Sequence, residues 1–113
     1  MTIKAEIFQK AADQIAQHGL IKGAYMASHS EACCTLGAIR YVRRGDRHIY
    51  GMSMRAYEEA LADLIDPDWR KAKDHHDAFG VVADWNDHPQ RTQDEVVDLL
   101  TRAAAVAAAQ ELE

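Results

Sequence analysis

Cysteine, proline and glycine are all scarce in this chain: two, two and six of 113 residues. The two cysteines, Cys33 and Cys34, are neighbours, and adjacent cysteines bridge each other only with strain. With no third cysteine, a disulfide framework is excluded, and so is a zinc site built on CxxC pairs. The composition, 48% apolar and 27% charged with few breakers, is that of a globular chain rather than a disordered one. No apolar run approaches the roughly 18 residues that a bilayer-spanning helix needs. Positive charge is in the minority, 13 Lys and Arg against 18 Asp and Glu for a formal charge of −5. That disfavours a general nucleic-acid binder, whose affinity rests on neutralising phosphates. The opening segment "MTIKAEIFQKAADQ" is amphipathic and contains acids, unlike a secretory signal or a transit peptide. The expectation is a cytoplasmic protein without membrane contact.

What is present in quantity is helical periodicity. The length suits one domain, residues 1–113, able to bury a core without metal or disulfide staples. From Ile3 to His18 the apolar residues Ile7, Phe8, Ala11, Ala12 and Ile15 recur at three- and four-residue steps, and Gly19 follows where a left-handed residue ends a helix in a Schellman turn. "IKGAYMAS" reads as a loop. Ser28 and Glu31 have the spacing of a capping box for a second helix, with Ser30 as an alternative cap. That helix would carry Ala32, Cys33, Leu36 and Ile39 on one side, and Gly37 would admit a close backbone neighbour. Gly45 could end it. The competing reading is a short hairpin at 39–50 turning at Gly45-Asp46.

Ser53 can cap a third helix with Tyr57, Leu61 and Leu64 inside, ending at Asp66 because Pro67 disfavours helix in the residue before it. Trp69, Ala72, His76, Phe79 and Ala83 then continue at helical steps, with Gly80 a possible break. In "WNDHPQRT", Trp85 reads as an apolar anchor, Asn86 and Asp87 as Asx turns, and His88 to Arg91 as a turn with proline second. Thr92 and Glu95 form a capping box for the last helix. Its stripe is Val96, Val97, Leu100, Ala103, Ala104 and Ala107, with Asp98 and Arg102 paired outside. The sum is a compact all-α bundle of four to six helices.

Few residues suggest chemistry. Cys33 and Cys34 would lie in a first helical turn, where the helix dipole favours thiolate. A nucleophilic Cys34 or Cys33 would need a base, His29 or His88, oriented by Asn86 or Asp87. A buried, inert cysteine is the alternative. Arg40, Arg43, Arg44, Arg47 and His48 form a basic cluster that could hold an anion or end a helix in solvent. His75 and His76 stand in a D-H-H-D run, but adjacent helical residues point about 100° apart and the HExxH spacing is missing. No metal or cofactor is expected.

"CTLGAI" (Cys34 to Ile39), "WNDHPQRTQDEVVDLLTRAA" and "AADQIAQHGLIKGAY" together resemble an uncharacterised family of small actinobacterial, soil-bacterial and phage proteins. The resemblance implies no activity. It implies that Cys34, Gly37, Trp85, Asn86, Asp87, Arg91 and Thr92 are the positions of interest, and that a phage or mobile-element accessory role fits. The functional expectation is a non-enzymatic protein-interaction or regulatory domain, binding another protein or itself. The alternative is a small cysteine-dependent hydrolase or transferase.

Overall fold

The helix punctuation read from the sequence mostly marks real ends. In the computed structural model, which describes residues 3–28, 30–43, 54–71 and 77–111, α1 is Ile3–His18 and α2 is Thr35–Arg43. Helix α3 is Met54–Ile65, α4 is Ala78–Asp87 and α5 is Gln93–Glu111, with a single 3₁₀ turn at Trp69–Lys71. The architecture is all-α. Among the described residues the only pairing of the β kind is two isolated bridges, Leu20 with Cys33 and Met26 with Cys33. Helix α1 lies against α5 and α2, α3 against α4 and α5, and α2 against α4. The radius of gyration, 13.4 Å, is close to the about 13 Å of one domain of this size.

The core is the set of stripes the periodicity marks. Ala5, Phe8, Ala11 and Ile15 of α1 are fully buried, as are Tyr57 and Leu61 of α3. Val96 and Leu100 of α5 are buried together with Leu99, which lies outside the stripe expected from periodicity. Phe8 meets Tyr57 edge to face, ring centroids 5.3 Å apart at 73°. Each such large side chain contributes about 1.5–3 kcal/mol on leaving water. Gly19 ends α1 with φ +100. Its N–H donates to the Ile15 carbonyl at 2.9 Å, the single-bond left-handed ending rather than the two-bond Schellman form. The capping box of α5 forms as read: Thr92 N–H donates to Glu95 Oε1 at 2.9 Å, and Glu95 N–H to Thr92 Oγ1 at 3.2 Å. Arg102 pairs with Asp98 at 3.0 Å.

Three expectations are corrected. The second helix does not start at Ser28; it starts at Thr35. Glu31 turns its carboxylate to His18 and Tyr41 rather than to a cap, and Ser30 Oγ accepts from Ala32 N–H in a local turn. Residues 39–43 are helix, so the first arm of the hairpin reading fails. The remainder of that reading, with Arg44, Gly45, Asp46, Arg47 and His48, and the proposed cap Ser53, lies outside the described residues. Lastly, α4 begins not as a continuation from Trp69 but at its own N-cap, Asp77, whose side chain accepts from Gly80 N–H at 3.0 Å. Ala78, Val82 and Asn86 face inward, leaving Phe79 39% exposed. Gly80 sits inside α4 without breaking it. His75, His76 and Ala72 fall outside the described residues.

Candidate functional site

The site is built where the 19–34 segment crosses the end of α4. Helix periodicity fails in this segment because its backbone groups pair across the chain instead. Cys33 N–H donates to the Gly19 carbonyl and Ile21 N–H to the Cys33 carbonyl, at 3.2 and 3.0 Å; Cys34 N–H donates to the Tyr25 carbonyl at 3.1 Å. The Tyr25 backbone therefore lies directly on the start of α2. Gly37 makes that possible, since a Cβ there would overlap the Tyr25 carbonyl.

Cys34 occupies the N-cap of α2. Its carbonyl accepts from Ala38 N–H at 2.9 Å, and its sulfur from Gly37 N–H at 3.2 Å. Next to it, Thr35 presents its N–H and its hydroxyl to a single acceptor, Asn86 Oδ1, at 2.8 and 2.6 Å. The Asn86 amide N–H groups donate to the Ile21 carbonyl at 3.1 Å and to Asp87 Oδ1 at 3.0 Å. Asp87 Oδ1 also accepts from Gly23 N–H at 2.9 Å. Asn86 is 2% exposed. One buried amide thus pins the loop, the start of α2 and the end of α4 to one another.

This replaces the Asx-turn expectation. Trp85, Asn86 and Asp87 are the last turn of α4, so the Asn86 side chain reaches across to other segments rather than forward along its own chain. The turn that follows is as read, with Arg91 N–H donating to the His88 carbonyl at 2.9 Å. Trp85 is half-buried beneath the Arg91 guanidinium, 3.9 Å above the ring centroid. Arg91 also donates to the Trp85 carbonyl at 2.8 Å and to Glu95 at 3.0 Å. It adds a second hydrogen bond to a carbonyl that the C-cap N–H of His88 also reaches, at 3.4 Å, and ties the end of α4 to the start of α5.

Between the loop and α4 lies a cavity of about 310 Å³. Phe79, Val82 and Ala83 form its α4 wall, Ala24, Tyr25 and Leu36 the facing wall, and Cys34, Asn86 and Asp87 its polar groups. Three of the residues singled out in the sequence therefore do share a cleft. His88 does not line it; its Nδ1 accepts from Gln90 N–H at 3.1 Å on the exposed turn. His29 lies outside the described residues. A second cavity, about 300 Å³ between α1, α3 and α5, is edged by Glu59 and Asp63, both paired with Arg70.

The thiols run opposite to the first-turn expectation. Burial pushes Cys34 above the ordinary thiol range, and the negative charge of Asp87 adds to this; the N–H groups of Gly37 and Leu36 pull it back only in part. Cys33, fully buried, is also raised, by burial first and then by Cys34, and its S–H donates to the Glu31 carbonyl at 3.4 Å. Both are neutral thiols at neutral pH. Of the basic cluster, Arg43 is buried with its guanidinium 4.9 Å from the Tyr57 ring centroid, and Arg40 is exposed and stacks on Tyr25 at 4.3 Å. Among the described residues no three His, Cys, Asp or Glu side chains gather as a metal would need. No helix among them is long and apolar enough to cross a membrane.

The chain matches DUF6197, a family of unknown function, over residues 1–106, and it belongs to that family. No curated protein and no solved structure matches it.

Proposed function

We propose that this DUF6197 chain is a non-enzymatic interaction domain that receives a side chain of a partner protein in the cavity beneath α4. One observation supports this above the others. The cavity combines an open apolar rim, Tyr25 and Phe79 at 40% and 39% exposed, with a buried amide, Asn86, already committed to the fold. All four hydrogen-bonding positions of Asn86 are occupied, so it cannot also orient a base. Apolar-walled clefts with a few placed polar groups are the usual form of a binding site. An accessory role in a phage or mobile element is compatible with such a domain and rests on the sequence resemblance alone.

Panning a yeast-displayed random peptide library against the protein tests the reading. Enrichment of peptides sharing one anchor side chain is expected, with binding lost in Ala83→Leu, which fills the cavity while leaving the helical circular dichroism unchanged. Failure to enrich any motif, or binding indifferent to Ala83→Leu, overturns it.

A cysteine-dependent hydrolase or transferase is the second reading, favoured by the single fact that the Cys34 sulfur and the Asp87 carboxylate line the same cavity. It requires a thiolate at neutral pH. Alkylation of Cys34 by iodoacetamide with a midpoint well below the ordinary thiol range would support it, and a midpoint at or above that range removes it.

A further inference from the structure

The cavity has a chemical direction. Its α4 wall runs from Phe79 to Asp87, eight residue steps, or about 12 Å at the helical rise per residue. One end is aromatic: Phe79 meets Tyr25 edge to face with centroids 6.3 Å apart, and Arg40 covers the Tyr25 ring. The middle, Val82, Ala83 and Leu36, has no polar side chain. The other end is the Asp87 carboxylate. Its Oδ1 takes the Gly23 and Asn86 N–H groups, while among the described residues no hydrogen bond or ion pair reaches Oδ2. The adjacent cation, Lys22, is turned elsewhere, its ammonium held by the His88 and Pro89 carbonyls at 2.7 and 3.1 Å. From Asp77 to Asp87 the chain carries three carboxylates and no base.

We propose that the groove takes a basic side chain, lysine or arginine, from a partner protein, with its stem against Ala83 and its cation on Asp87. The assignment rests on the reading of the chain as an interaction domain. Long basic side chains have an apolar stem and a charged head, which matches the order of surfaces from middle to end. A neutral occupant would strip water from Asp87 without replacing it. An acidic occupant would meet Asp87 in repulsion and find both Asn86 N–H groups in use.

The test is a titration of ¹⁵N-labelled protein with Nα-acetyl-lysine N-methylamide and its norleucine and glutamate counterparts, following the amides of Val82, Ala83 and Asp87. The lysine compound is expected to bind roughly three- to fivefold tighter than norleucine, the upper part of the range of a partly exposed ion pair. That advantage should vanish in Asp87→Asn, which keeps an oxygen for Gly23 and Asn86. In the wild-type protein it should shrink in 0.5 M salt, where the screening length falls to about 4 Å, while norleucine binding holds. Norleucine binding as tightly as lysine overturns the basic occupant but leaves the apolar anchor of the interaction reading intact. Glutamate shifting the same amides, no shift from any compound, or shifts on diluting the protein alone (a second copy in the groove) overturn it as well. Failure of the display selection is the separate result that removes the interaction reading itself.

Discussion

Asn86 is the residue on which most of the local structure converges. Replacing it with alanine strands the Thr35 N–H and hydroxyl and the Ile21 carbonyl in a buried setting. Leaving a buried polar group unpaired costs about 1–3 kcal/mol each, so Asn86→Ala should destabilise by about 3 kcal/mol or more in urea unfolding. A loss under 1 kcal/mol would mean that water reaches these groups and that the pin is not structural. The thiols give a second prediction at this scale. Cys34 reaches the cavity but is held neutral by burial and by Asp87, so its alkylation rate should stay low at pH 7 and rise only above the ordinary thiol range. Asp87→Asn should move that rise to lower pH by removing the opposing charge.

At the scale of elements, two positions test how the helices are held. Gly37 is where α2 and the Tyr25 backbone touch, and Gly37→Ala forces one of them to move. Overpacking of this kind costs about 1–3 kcal/mol, and here it should also weaken the Cys34 N–H bond to Tyr25, seen as loss of amide-exchange protection at Cys34. Unchanged protection would show that the two backbones are not in contact. Thr92→Ala removes one half of the capping box of α5 and should cost about 1 kcal/mol in a thermal or urea melt; a neutral result would show that Glu95 alone holds the helix start. The Trp85-Asn86-Asp87 stretch, read as a loop from its Asx residues, is instead the end of a helix. Asx residues favour turns only while no better partner exists, and the 19–25 loop with the start of α2 supplies that partner for Asn86.

For the whole molecule, the buried thiols set a direction with pH. Cys33 and Cys34 both have folded-state values raised above the unfolded ones. Through the alkaline range the unfolded chain therefore loses its thiol protons first and binds fewer than the native state, and stability falls as pH rises. The contribution is fully present below the ordinary thiol range and is lost as pH climbs through the raised values. Urea midpoints at pH 7 and pH 9.5 should differ in this sense, and the difference should narrow in Cys33→Ala. A midpoint that rises with pH would contradict the burial of both thiols.

What the sequence determined by itself is the helical class, the stripes of α1, α3 and α5, and the ends marked by Gly19, Pro67 and Thr92. These depend on interactions within a few residues along the chain: 3.6-residue periodicity, caps and turn chemistry. It also singled out Cys34, Gly37, Asn86 and Asp87, but not what they do. Only the tertiary structure decided that Cys34 caps α2 at the end of a loop instead of lying inside its first turn, that Asn86 bonds across 51 residues to Thr35, and that a cavity opens between Tyr25 and Phe79. Those outcomes depend on which segments meet in space, and no local pattern in 19–34 encodes the distant partners that hold it.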